Sequence, residues 1–186
     1  VAVFDPSHRD RRLETGEVGE IGGRGAALML GYFNNQAATE ASFNRAGWFL
    51  SGDLGSLDAD GNLTILGRTK DLIIRGGHNI HPSDIEARAV RHPAIQAASA
   101  FGVADDRLGE RVCLAVLGDV TPGAVLEHLA AEGLSRYDMP EYILAMESFP
   151  LTASGKVLKR EIQAQVVRGE LSPVPVRYEA QKQEAN

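Results

Sequence analysis

This sequence contains a single cysteine, Cys113, so no internal disulfide can staple the fold. It has no apolar run near the ~20 residues a membrane helix requires, and no signal-peptide pattern opens it. It has no polybasic stretch. Its 19 Lys and Arg are interspersed with 25 Asp and Glu, for a net charge of −6, which argues against a nucleic-acid surface and against an anionic membrane surface. It has no internal repeat, and His78 stands at no metal-ligand spacing. It also lacks an initiator Met: VAVFDP reads as a strand at once, so the chain is expected to be a piece of something longer. Cys113 lies in the apolar run RVCLAVL, where a buried strand thiol is the expected role rather than a nucleophile. A reducing cytoplasm is the simplest compartment for it.

What is present suits a folded chain. The 186 residues are 44% hydrophobic and 24% charged, enough for one ordinary domain or two small ones. Residues 1–66 hold glycine and short strand-like runs, VAVF, EVGEIGG and AALML, with helical character at 35–43. Asp60-Gly61 between LGSLDA and NLTIL is a hairpin signal. This half reads as a twisted antiparallel β region with one short helix, too thin to stand alone.

The texture changes after Gly67. Strand 72–75 leads to a glycine pair and a helix from Pro82 to about His92, with Ile85, Ala89 and His92 on one face and Pro93 as the stop. Strands are expected at 95–103, 111–118 and 141–146. A helix over 122–134 starts at Thr121-Pro122 and ends at Gly133, and a last amphipathic helix covers 157–168. The fold class is therefore α+β: a small C-terminal domain over 70–170 with a mainly antiparallel sheet and packed helices, a β-rich piece over 1–69 before it, and a tail over 171–186.

The stretch GRTKDLIIRGGHNIHPSDIE (67–86) organises this reading. Gly76 and Gly77 tolerate positive φ and let a ligand approach the backbone. Pro82 suits a first helical position, and Asp84 and Glu86 suit the first turn. On spacing alone the favoured reading of the stretch is a charged turn, an edge strand and a helix start without function.

Three stretches in order decide otherwise: GWFLSGDLG (47–55), GRTKDLIIRGGHNIHPSDIE (67–86) and PLTASGKVLKREI (150–162), with GEVGEI and GYFNN upstream. Together they make the chain resemble the adenylate-forming superfamily, most of all its acyl-CoA synthetases, from about Gly16 to Ile162. The resemblance implies a two-step reaction. A carboxylic acid attacks the α-phosphate of ATP to give acyl-AMP and pyrophosphate, and the thiol of CoA then displaces AMP. It also implies a small C-terminal domain that swings on a large N-terminal one between the steps, with 1–69 as the distal part of the large domain.

Roles follow residue by residue from that resemblance. Asp53 matches the aspartate that accepts hydrogen bonds from the AMP ribose hydroxyls, a task for a pure acceptor pair. Arg68 matches the arginine that also reaches the ribose. Lys70 holds the hinge position, where relatives carry Asp or Lys. Lys156, in PLTASGK, matches the lysine that stabilises charge on the carboxylate and α-phosphate during adenylation. Gly76 and Gly77 match the loop lining the pantetheine tunnel. Tyr137 lies where some relatives stack the CoA adenine, but the basic residue that can accompany it is Met139 here, and Arg136 is the nearby cation.

The resemblance implies ATP, Mg2+ and CoA as cofactors, with ATP and Mg2+ expected to be bound mainly by sequence upstream of Val1. The family's phosphate loop, its adenine-positioning segment and the acyl pocket have no counterpart here, so this stretch alone is expected to be inactive. The expected partners are a small carboxylic acid, CoA, and a protein acetyltransferase and deacetylase acting at Lys156. Two alternatives stay open: the adenylation domain of a peptide synthetase, and a non-catalytic regulatory or interaction segment.

Overall fold

The computed structural model describes residues 1–178 and divides the chain into two units, Val1–Asp71 and the part from Leu72 onward. The boundary falls beside Lys70.

In the first unit four strands, β1 (Ala2–Phe4), β2 (Gly19–Gly23), β3 (Phe49–Leu57) and β4 (Leu63–Arg68), form one antiparallel sheet in that order. Ala2, Phe4 and Leu50 form its buried cluster, with the Trp48 ring 5.5 Å from that of Phe4. Gly55 has no room for a side chain: a Cβ there would lie 2.5 Å from the Thr64 carbonyl oxygen and 2.9 Å from Ile21. Helix α1 (Gln36–Ser42) is as short as its sequence suggested, with Asn35 outside it as the cap accepting the Ala38 N–H at 3.0 Å. The hairpin signalled by Asp60-Gly61 is a five-residue loop rather than a two-residue turn. Asp58 builds it by accepting the N–H groups of Asp60 and Asn62 at 2.9 and 2.8 Å.

The second unit is built on one central strand. In it stand β5 (Ile73–Arg75), β6 (His78–Ile80), α2 (Pro82–Ala89), β7 (Ala97–Asp105), β8 (Gly109–Leu117), α3 (Pro122–Ala131), β9 (Tyr142–Met146), α4 (Lys159–Val167) and β10 (Val174–Pro175). β8 pairs antiparallel with β7 along its length, parallel with β9 from Cys113 to Leu117, and at Gly109 with Arg75 of β5. The parallel pair requires the crossover that α3 supplies. The unbroken apolar run of β8 follows from cover on both faces. Val112, Leu114 and Val116 join the cluster of Ile85 on α2 and Leu129 on α3, while Cys113 and Ala115 join that of Ile162 on α4. Each such fully buried branched side chain contributes ~1.5–3 kcal/mol.

Several boundaries differ from those the sequence suggested, each for a local reason. α2 ends at Ala89, so His92 stands beyond the helix in a turn, its Nδ1 accepting the Ala94 N–H at 3.1 Å. α3 ends at Ala131. Gly133, at φ +78°, donates to Ala130 O, and Leu134 donates to Leu129 O, both at 3.0 Å, a glycine C-terminal motif that closes the helix early. The glycine pair does not lead straight into α2, because β6 intervenes. The segment read as a tail is ordered in its first part: Val174 and Pro175 pair with β9, and Val176 and Tyr178 pack on the core. The remainder of that tail, 179–186, lies outside the described residues.

Candidate functional site

In the first unit the sheet sets Asp53 of β3 opposite Arg68 of β4. Arg68 Nε lies 3.1 Å from Asp53 Oδ1. The register runs Asp53 to Arg68 and Leu54 to Gly67, and then shifts so that Gly55 faces Ile65. Such a bulge turns neighbouring side chains to a new direction. Next to it, Gly52 adopts φ +78° and donates its N–H to Glu20 Oε1 at 3.0 Å, while the Asp53 N–H donates to Ser51 Oγ at 3.1 Å. Asp53 is thus held by its backbone, with its carboxylate 39% exposed and the Arg68 side chain 62% exposed. An exposed pair of this kind contributes only ~0–1 kcal/mol to stability. Its chemistry is complementary: a carboxylate that accepts from hydroxyls beside a guanidinium that donates. Lys70 is exposed on the 3-10 turn Thr69–Asp71 that closes this unit.

In the second unit Gly76 and Gly77 are the two central residues of the β5–β6 hairpin, at φ +59° and +85°. Positive φ at both positions is the signature of a type I′ turn, and it explains the pair without invoking crowding. A Cβ on Gly77 would meet nothing within 4 Å, and one on Gly76 only Leu108 at 3.4 Å. The Gly76 N–H donates to Leu108 O at 2.7 Å, so the turn is fixed while its outer side is open.

The hairpin meets the turn after α3. His78 Nε2 lies 2.7 Å from Asp138 Oδ1, and the His78 ring stands edge-on to Tyr137 at 6.5 Å between centres. Tyr137 is 58% exposed, and the Arg136 guanidinium lies over its ring, 5.1 Å from the centre. Met139, in contrast, is buried in the core at 6% exposure. The cation beside the tyrosine is therefore Arg136. The residues 76–78 and 136–138 form one face: open backbone, an exposed aromatic ring, and a guanidinium. The His78–Asp138 contact joins residues 60 positions apart and has no local sequence signal.

Lys156 stands on a second tight loop. Leu151 and Val157 bridge its base. Thr152 clasps it from inside, donating its N–H to Lys156 O at 2.8 Å and accepting the Lys156 N–H on Oγ1 at 3.0 Å. Gly155 at φ +80° makes the reversal possible. The lysine side chain is exposed, and among the described residues it is in no ion pair. Its charge is therefore available to a ligand. Cys113 is fully buried, and burial pushes its thiol up to about 12, as a structural rather than a reactive cysteine. Among the described residues no group of three or more His, Cys, Asp or Glu could hold a metal.

Residues 84–156 match the family model described as the AMP-binding enzyme C-terminal domain. A medium-chain acyl-CoA ligase ACSF2, mitochondrial, of Rattus norvegicus is 36% identical over 163 residues, covering 83% of this chain and 26% of that protein. The chain thus spans about a quarter of the length of that relative. ATP-bound MatB from Rhodopseudomonas palustris superposes with a TM-score of 0.81 at 31% identity, over 88% of this chain and 33% of that one. The o-succinylbenzoate CoA synthetase MenE from Bacillus subtilis, in complex with its acyl-adenylate intermediate OSB-AMP, gives 0.81 at 33% identity with the same coverage.

Proposed function

From the membership of this chain in the adenylate-forming superfamily, of which it carries the C-terminal part, we propose that it belongs to an acid–CoA ligase. The ligase joins a carboxylic acid to CoA through acyl-AMP, with ATP cleaved to AMP and pyrophosphate. The observation that carries the reading is Lys156: an exposed ammonium, in no ion pair among the described residues, on a loop whose backbone is closed by Thr152. A fixed cation of that kind stabilises negative charge that grows as a carboxylate oxygen attacks phosphorus. Asp53 and Arg68 suit a ribose, the first accepting from vicinal hydroxyls and the second donating beside it.

For thioester formation we assign the face of Gly76, Gly77 and Tyr137. The open side of the hairpin admits the narrow pantetheine arm, and the ring of Tyr137 with Arg136 above it offers a platform for an adenine. Lys70, on its exposed turn at the unit boundary, is assigned as the pivot between the two steps. For Mg2+ the described residues offer no carboxylate cluster. The relatives named for medium-chain acyl-CoA and o-succinylbenzoate support a small carboxylic acid as substrate.

The test is a comparison of half-reactions in the full-length ligase. Lys156→Ala is expected to slow acyl-AMP formation by about 10²-fold or more, the scale of one lost transition-state donor. Thioester formation from supplied acyl-AMP should persist. Equal loss of both half-reactions would remove Lys156 from the adenylation step.

A further inference from the structure

Helix α4 begins against the usual preference. Its first two residues are Lys159 and Arg160, cations at the end where the helix dipole disfavours them, Glu161 is the acid of that turn, and Leu158 at the cap supplies no side-chain hydrogen bond. A local rule broken at a helix start points to a compensating contact elsewhere. That contact is Glu86 of α2. Lys159 Nζ lies 2.6 Å from Glu86 Oε1, with the two side chains 25% and 22% exposed. The same carboxylate oxygen accepts the Ala100 N–H of β7 at 2.7 Å. The lysine is thereby tied to a helix and a strand of the core at once.

Lys159 directly follows the loop that presents Lys156. The Leu158 N–H donates to Pro150 O at 2.8 Å and, with the Leu151–Val157 bridge, closes the loop's base. We propose that Lys159 is a positioning residue: its ion pair with Glu86 anchors the C-terminal leg of this loop and so fixes where Lys156 is held. The two lysines of PLTASGKVLK divide the work. Lys156 is exposed and, among the described residues, in no ion pair, whereas Lys159 is three-quarters buried and paired. The catalytic half of this inference rests on the proposed ligase function, while the anchoring half does not.

The anchoring half is read by hydrogen exchange on the 186-residue chain itself. Lys159→Met is expected to speed exchange of the Lys156 and Leu158 amides by about tenfold, the scale of one lost charge-assisted contact, with the Leu114 amide of β8 unchanged. Lys159→Arg should restore protection. A rise spread evenly over β8, or no rise at the loop, overturns the anchor. The catalytic half is read in the full-length ligase. Lys159→Met should lower the adenylation kcat by about tenfold, leave KM for ATP near its starting value, and spare thioester formation from supplied acyl-AMP, with rescue by Lys159→Arg. Equal loss of both half-reactions, or unchanged adenylation, overturns it. Should Lys156→Ala leave adenylation intact, the ligase reading of Lys156 fails instead, and the exchange result still decides the anchor.

Discussion

Asp53 and Arg68 face each other as paired residues of β3 and β4, Arg68 Nε 3.1 Å from Asp53 Oδ1, just before the register of that strand pair shifts between Leu54 and Gly55. As directly opposite residues they share one sheet face, so both side chains can meet one ligand. Their contact is open to solvent, so the pair is expected to act in binding more than in folding. Asp53→Asn keeps the shape and one acceptor oxygen but loses the charge. In the full-length ligase it should weaken nucleotide binding by about tenfold or more, and Asp53→Ala by more than that. Thermal unfolding of the chain should shift little with either, within the ~0–1 kcal/mol of an exposed pair. A large loss of stability with unchanged nucleotide affinity would reverse the assignment.

Gly77 separates backbone strain from ligand access. Its φ of +85° makes any Cβ unfavourable, by ~1–2 kcal/mol, although a Cβ would meet no neighbour within this unit. Gly77→Ala should therefore lower stability by about that amount, measured by denaturant unfolding. Gly77→Leu should cost a similar amount of stability, since the side chain projects into open space. In the full-length ligase, however, Gly77→Leu should slow thioester formation far more than Gly77→Ala, leaving adenylation largely intact. If the two variants slow thioester formation equally, strain alone explains the glycine and the thiol does not pass there.

Much of this was legible because it is local. Cap residues, the apolar face of α3 and the buried run of β8 are written in short-range patterns, and β8 could be placed from RVCLAVL alone. The Lys156 and Gly76–Gly77 loops were readable as turns for the same reason. What could not be read depends on distant partners. β6 and β10 are three and two residues long and exist through pairing with β5 and β9, too short for any periodicity to announce them. His78 finds Asp138, and Lys159 finds Glu86, only once the sheet has brought them together. Met139 illustrates the converse. Its position suggested a missing ligand contact, whereas its side chain is core, and Arg136 supplies the charge from the exposed side of the same turn.

Cys113 gives a prediction in pH. Burial raises its thiol from 9.0 to about 12 in the folded chain. A raised folded value means that the stabilising difference is fully present below the unfolded value and is lost as pH rises from there toward the folded one. Between about pH 9 and 12 this group alone should reduce stability by about 1.4 kcal/mol per pH unit. Denaturant unfolding at pH 8 and pH 10 should show the loss, and Cys113→Ala should shrink it while costing some packing. A thiol reagent should leave Cys113 unlabelled in the folded chain at pH 8 and label it on unfolding. Rapid labelling without unfolding would show that the strand thiol is reachable.

Lysine acetylation removes the positive charge, and with it any contact to a phosphate. Lys156 is exposed, is unpaired among the described residues, and sits on a loop that lies seven residues along from Pro150 in PLTASGK, counting both ends. Lys159 is a poorer acceptor, since its ammonium is held by Glu86 and three-quarters covered. Lys182 lies outside the described residues, so its surroundings give no ranking. Incubating the chain with acetyl-CoA and a protein acetyltransferase of its host, followed by mapping of the modified lysine by mass spectrometry, should place the acetyl group on Lys156. In the full-length ligase the modification should suppress adenylation as Lys156→Ala does, spare thioester formation from supplied acyl-AMP, and be reversed by a deacetylase. Lys159→Met should not become the preferred route to protection, because it leaves Lys156 exposed. Acetylation found at Lys159 or Lys182 in place of Lys156, or activity that does not return on deacetylation, would defeat the idea.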